Sequence, residues 1–451
     1  MRTATALAAL VWLAASAAQA QPQTVTVTKI ADDGRVPQYD QALNVYSAGR
    51  ARYSQVTMAI RFDCPPAPAK ANGQVGGAQA PVCSSPPEHA LAPSYPAYAY
   101  GWPGVYFESR FKGDEVVVRF DDPTSDFELL IDGKPVRRIS RPGQAVYDVT
   151  GLAFAEHAVR LERLSEDLNT GGTFGGFFIQ VTWPRPESGT PLPGGRKAGT
   201  PLLPSPPRAR SIEFIGDSYL TGYGVHSAKH ECTPDELHAN TDTQAAWGAL
   251  IARHYDADYQ VNATSGIGMV RNYDGSAGAL MPVRYASDVM ATEVTPHASR
   301  VLNVLALTEN DGQRPYGDLR ETPPPNWQPQ VIVIGLGDND FATPVKPGEK
   351  WADQAALRDD FITTYLDFLK GLRARNPNAT IILMDYGEPE LIPDIQAIAA
   401  MSKARGDARV IAWSAGTGFE QSGCDWHLSP HDHERIAAGI EAVIDGVGVW
   451  R

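Results

Sequence analysis

The chain has 451 residues, 43% of them hydrophobic and 20% charged, with a formal net charge of −13 at pH 7. That length is long for one domain and fits two, each able to bury its own core. The acidic balance removes counterion release from phosphates as a binding force, which argues against nucleic acid and anionic membrane surfaces and suits a neutral substrate.

Residues 1–20, MRTATALAALVWLAASAAQA, combine Arg2, an apolar stretch from Leu7 to Ala15 and the small-residue triplet Ala18-Gln19-Ala20. This is the pattern of an export signal cleaved after Ala20. No later segment approaches spanning length, so the mature chain is expected in the periplasm or the medium, with no membrane insertion. Export puts the four cysteines in an oxidising compartment. Of the three possible connectivities, Cys64–Cys83 with Cys232–Cys424 keeps each bridge inside one domain and is the expected pairing. A zinc site would want C-x-x-C spacing, and none occurs.

Residues 21–183 form one expected domain, and from about 40 to 183 the sequence reads as strands. GVYFESRF (104–111), EVVVRFDD (115–122), FELLIDGKPVRRIS (127–140), HAVRLERLS (157–165) and GGFFIQVTW (175–183) are short and rich in Val, Phe and Ile, and several alternate apolar with polar. Asp132-Gly133 is a strong hairpin signal inside the third of these. The pattern predicts an antiparallel jelly-roll sandwich. Residues 184–210 carry repeated proline and read as a semi-rigid linker.

From 211 to 451 strands alternate with helices. Apolar runs at 212–215, 259–263, 331–336, 380–385 and 409–413 are separated by helical patterns at 243–255, 352–375 and 392–405, and a helix at 433–446 closes the chain. Such alternation predicts a five-stranded parallel sheet, flavodoxin-like, covered on both faces. Residues 286–326 have no place in the alternation and read as an insertion near the rim.

In such a sheet reactive groups gather at the carboxyl ends of the strands. Four blocks lie there in order: IGDSYLTGYG (215–224), NATSGIG (262–268), IGLGDND (334–340) and GCDWH (423–427). A serine at a strand tip could equally be a helix N-cap, and each glycine or asparagine a plain turn residue. Together the blocks supply a hydroxyl, amide donors, an imidazole and a carboxylate, the set that acyl transfer requires. Ser218 is the candidate nucleophile, His427 the general base and Asp425 its orienter. Ser218 N–H, Gly266 N–H and the Asn339 side chain are the candidate oxyanion donors, with Gly268 a rival to Gly266.

The four-block order resembles the SGNH (GDSL) hydrolase superfamily. The wording of the blocks, with WPGVYFESRFKGDEVVVRFDD and YDVTGLAFAEHAVRLERLSE in the first half, is similar to carbohydrate esterase family two. The resemblance implies a secreted serine esterase that removes O-acetyl groups from plant polysaccharides such as xylan and glucomannan, without a cofactor. Two departures stand out. Asp338 occupies the position where the family has threonine, and a carboxylate there should point away from a developing oxyanion. Asp425 lies two residues before His427 where the superfamily has three, so a backbone carbonyl competes with it as orienter. Trp426 could wall the substrate site. His431 and His433 invite a metal reading, but serine catalysis needs no metal. The competing functions are a GDSL lipase acting on other acyl esters and a carbohydrate-binding protein with a spent hydrolase domain.

Overall fold

The computed structural model describes residues 24–30, 40–43, 45–47, 51–57, 94–166, 172–180, 198–204, 206–285, 320–322 and 327–450. In the first half, alternating side chains send one face of each strand inward. Two antiparallel sheets result, packed face to face. One sheet orders Thr26–Ile30, Gly143–Thr150, Val116–Asp122, Gly172–Gln180, Ser94–Tyr100 and Ala51–Thr57, and the other contains Tyr106–Gly113, Ala155–Arg163, Asp126–Ile131 and Lys134–Ser140. Phe107, Phe120, Phe127 and Phe174 fill the space between them. The hairpin signal is where it was expected. Asp132 and Gly133 have φ of 52° and 74° and join the strands Asp126–Ile131 and Lys134–Ser140.

Two segments read as linker and insertion also join this sandwich. Thr200–Pro201 pairs with Lys112 and Phe111, and Arg320–Thr322 pairs with Tyr53, Arg52 and Ala51. The linker's carboxyl-terminal end is therefore packed. Linker residues 184–197 and 205 lie outside the described residues, as do the insertion apart from 320–322, the export segment and the expected Cys64–Cys83 bridge.

The second half forms one five-stranded parallel sheet, ordered Ala257–Ala263, Arg210–Gly216, Val331–Gly335, Thr380–Asp385 and Val410–Ser414. Its central strands are buried apart from their first one or two residues at Arg210, Ser211 and Thr380, which explains their apolar runs. Helices Trp247–His254 and Pro430–Val447 cover one face, and Gln354–Arg375 and Ile392–Ala404 the other. The last helix starts three residues before its apolar pattern does. Ser429 caps it by accepting the Asp432 N–H, Asp432 reciprocates, and Pro430 takes the first turn. No helix among the described residues is long and apolar enough to cross a membrane.

The halves meet through ion pairs built on buried carboxylates. Glu108 of the sandwich accepts from Arg160 and from Arg208 at 2.9 Å, and Arg208 also donates to Asp258 of the parallel sheet at 2.8 Å. Tyr106 and Tyr46 donate to the same Asp258 carboxylate at 2.8 and 2.6 Å. Desolvated charges need this degree of pairing, so the contact between the halves is geometrically demanding.

Candidate active site

The sheet changes winding direction at Arg210–Gly216, whose neighbours come from later in the chain on both sides. The three adjoining loops that follow Gly216, Ala263 and Gly335 therefore open at one crevice. Ser218 begins a one-turn helix, Ser218–Thr221, capped by the Asp217 carboxylate, which accepts the Tyr219 N–H at 3.1 Å. No residue among those described accepts the Ser218 N–H. A cavity of about 610 Å³ lies over it, lined by Ser218, His427, Asp338, Asn339, Tyr219 and Leu391 among others.

His427 reaches this cavity from the opposite rim. Its Nδ1 lies 3.0 Å from the Cys424 carbonyl oxygen. A carbonyl only accepts, so Nδ1 carries the proton and Nε2 keeps its lone pair. Burial holds the imidazole below its usual pKa, partly offset by the Cys424 and Asp425 backbone. The ring packs against Tyr223 at 4.2 Å and Tyr219 at 5.2 Å between centroids. Ser218 Oγ and the imidazole share the cavity without a hydrogen bond between them, as is common before substrate draws such a pair together.

The Asp425 carboxylate does not take the expected place beside the imidazole. It accepts the Tyr223 hydroxyl at 2.9 Å, and the Cys424 carbonyl holds the position at Nδ1 instead. The cause is local backbone: Asp425 and Trp426 have φ of 51° and 58°, which turns both side chains outward from the short helical turn Cys424–Trp426. Trp426 is 57% exposed at the rim, with its ring 4.7 Å from that of His230. The Cys232–Cys424 bridge is present, adjoining the carbonyl that accepts from His427.

Gly266 and Gly268 are now distinguishable. The Gly268 N–H donates to Asn272 Oδ1 at 3.2 Å, whereas no described residue accepts the Gly266 N–H. Gly266 has φ of 77°, and a Cβ there would meet the Tyr273 ring at 2.7 Å, so only glycine fits. Asn339 donates to Ile267 O at 3.0 Å and to Asp217 Oδ2 at 3.2 Å. Burial pushes the Asp217 carboxyl up to about 7, with Asp340 and Glu166 adding to the effect.

Asp338 contributes to the cavity wall, yet both its carboxyl oxygens are buried and have no hydrogen-bond partner among the described residues. Burial, reinforced by Asp217, Glu388 and Asp385, drives its pKa far above the usual carboxylate range. The setting favours its neutral form over the charged one. Of the two remaining histidines, His433 is buried and accepts the Trp247 N–H at 3.2 Å, while His431 pairs with Glu420 at 3.0 Å. Sequence reasoning passed over Tyr223 and Tyr219, although both stand in the IGDSYLTGYG block.

Comparison with known proteins identifies the family. Residues 92–184 match the carbohydrate esterase 2 N-terminal family, and residues 212–440 match the GDSL-like lipase/acylhydrolase family. An acetylxylan esterase / glucomannan deacetylase of Cellvibrio japonicus is 38% identical over 343 residues, covering 76% of this chain and 83% of that protein. A solved carbohydrate esterase, described as having divergent catalytic and non-catalytic binding functions at its active site, superposes with a TM-score of 0.66. It is 31% identical, and the match covers 91% of this chain and all of that one. A family two carbohydrate esterase from Clostridium thermocellum, solved with cellohexaose, gives a TM-score of 0.59 at 25% identity over 78% of this chain and 95% of its own. The chain thus belongs to carbohydrate esterase family two within the GDSL hydrolases, and it is a carboxylic ester hydrolase.

Proposed function

We propose that this esterase removes acetyl groups from O-acetylated polysaccharides of the xylan and glucomannan type, after export from the cell. The observation that carries the mechanism is the 3.0 Å contact between His427 Nδ1 and the Cys424 carbonyl, which leaves Nε2 as the base. In the first step Nε2 takes the Ser218 proton as Oγ attacks the acetyl carbonyl carbon. Negative charge gathers on the carbonyl oxygen, within reach of Ser218 N–H, Gly266 N–H and the Asn339 amide. The imidazolium then returns the proton to the departing sugar oxygen, leaving acetyl on Ser218. Water enters, gives its proton to Nε2 and attacks the acetyl group, and the proton passes to Oγ as acetate leaves.

The relative from Cellvibrio japonicus supports the substrate class, and exposed Trp426 beside the base suits the face of a sugar ring. The test measures 4-nitrophenyl acetate hydrolysis by the wild type and Ser218→Ala, then acetate release from acetylated xylan and acetylated glucomannan. Activity lost in Ser218→Ala and acetate released from either polymer support the proposal. Equal rates in the two proteins would end it, and a preference for octanoate over acetate esters would favour a lipase instead.

A further inference from the structure

The sandwich sends the Glu166 carboxylate to the loops around Ser218. Glu166 lies three residues beyond the strand Ala155–Arg163. Its Oε1 accepts the Ser265 N–H at 2.6 Å, and its Oε2 accepts the Ser265 hydroxyl. Ser265 immediately precedes Gly266. The Ser265 hydroxyl also lies 3.2 Å from Thr221 Oγ1, which donates to the Ser218 carbonyl at 3.1 Å. One side chain from the first domain therefore touches the loop after the second strand and, one contact further, the nucleophile turn.

Glu166 is itself held firmly. Leu164 O accepts the Thr243 N–H at 2.8 Å, and Ser165 Oγ accepts the Asp126 N–H at 2.8 Å. The buried Arg163 guanidinium donates to Gly101 O at 2.7 Å, Trp102 O at 3.0 Å and Ser125 Oγ at 3.0 Å.

A glycine at 266 gives its own peptide little stiffness. The restraint must come from outside it. On one side the Tyr273 N–H donates to Gly266 O at 3.1 Å. On the other, attachment of Ser265 at both its amide and its hydroxyl fixes that residue's backbone and side-chain torsions together. We propose that Glu166 is a positioning residue for ester hydrolysis, holding Ser265 so that the following Gly266 N–H faces the oxyanion. The inference rests on the role given to Gly266 under Proposed function. It makes the sandwich part of the reaction's geometry, because the hydrolase domain alone lacks this anchor.

The experiment uses the full chain with Glu166→Ala, Glu166→Gln, Ser265→Ala and the Glu166→Ala/Ser265→Ala pair. Functional sites are first counted by 4-nitrophenolate released from diethyl 4-nitrophenyl phosphate, taken to completion, and kcat and KM for 4-nitrophenyl acetate are then expressed per site. Glu166→Ala is expected to lose about 10- to 100-fold in kcat per site, the scale of a misplaced catalytic group. KM should move by less than about threefold, since ground-state binding is untouched. Glu166→Gln should recover most of the loss, because its amide oxygen still takes the Ser265 N–H and its NH2 donates to Ser265 Oγ. In the pair, Glu166→Ala should cost less than it does alone, as part of the connection is already gone.

A role confined to stability would reduce the number of sites and leave kcat per site at the wild-type value. That result overturns the inference, as does Ser265→Ala with wild-type kcat, which keeps the test decisive should Glu166→Ala not fold. Ser218→Ala runs alongside. If it is as active as the wild type, the underlying reading of the site fails. If it is inactive while the Glu166 variants keep wild-type kcat, only the present inference fails.

Discussion

His427 Nδ1 and the carbonyl oxygen of Cys424 are 3.0 Å apart, so the tautomer of the base is set by main chain and not by a carboxylate. Asp425→Ala should therefore lower kcat for 4-nitrophenyl acetate by less than about tenfold, against the roughly 10⁴-fold expected when a true triad acid is lost. The residual effect would come through Tyr223, which Asp425 holds at 2.9 Å against the imidazole. A loss of three or more orders of magnitude would return Asp425 to the triad.

The same carbonyl belongs to a bridged cysteine. The Cys232–Cys424 disulfide closes a separation of 192 residues. Replacing both cysteines by serine should cost about 2–4 kcal/mol in denaturant unfolding. It should also lower kcat at temperatures where the variant remains folded, because the loop presenting the Cys424 carbonyl is freed. Unchanged kcat in the folded variant would show that the loop keeps its shape unaided.

Burial lowers the His427 pKa from its ordinary 6.5. The imidazole must be neutral to accept the Ser218 proton, and a depressed pKa keeps it neutral to lower pH. The acid limb of kcat/KM for 4-nitrophenyl acetate should accordingly have its midpoint below 6.5. A pH-rate profile with the midpoint at or above that value would contradict the buried setting of the base.

Asn339 already has both amide hydrogens engaged, with Ile267 O and Asp217 Oδ2. One must turn to the substrate as charge develops. Removing it in Asn339→Ala should reduce kcat by about 10²–10³-fold with a small change in KM. A change confined to KM would place Asn339 in ground-state binding.

Asp338 keeps two buried carboxyl oxygens without hydrogen-bond partners among the described residues. Asp338→Thr should stabilise the fold by about 1–3 kcal/mol, the cost of an unsatisfied buried polar group. It should leave kcat largely unchanged, because burial disfavours the charged form of Asp338 beside the site. Loss of stability in urea unfolding would show that Asp338 is satisfied in solution.

Much of this was legible beforehand because the signals were local. Continuous Val/Ile runs marked the parallel strands, and each reactive block followed one of them. The Asp132-Gly133 turn declared its hairpin. What stayed hidden depended on geometry that spacing does not encode. The destination of the Asp425 side chain follows from left-handed angles at two ordinary residues. The choice between Gly266 and Gly268 turned on which amide Asn272 takes. Glu166 meets Ser265 across 99 residues and a domain boundary, where no motif reaches.

The turn before the base has a consequence for how this loop could change over time. Left-handed backbone at a non-glycine residue costs on the order of 1–3 kcal/mol, and here Asp425 and Trp426 adopt it in succession. Gly423 N–H to His427 O at 3.0 Å and Asp425 N–H to His230 O at 2.7 Å hold them there. The reversed handedness sends the Asp425 carboxylate to Tyr223 and leaves the Cys424 carbonyl, three residues before His427, at Nδ1. A single inserted residue would relieve the torsions yet carry the imidazole off the Cys424 carbonyl, so relief of strain and placement of the ring pull against each other at this turn.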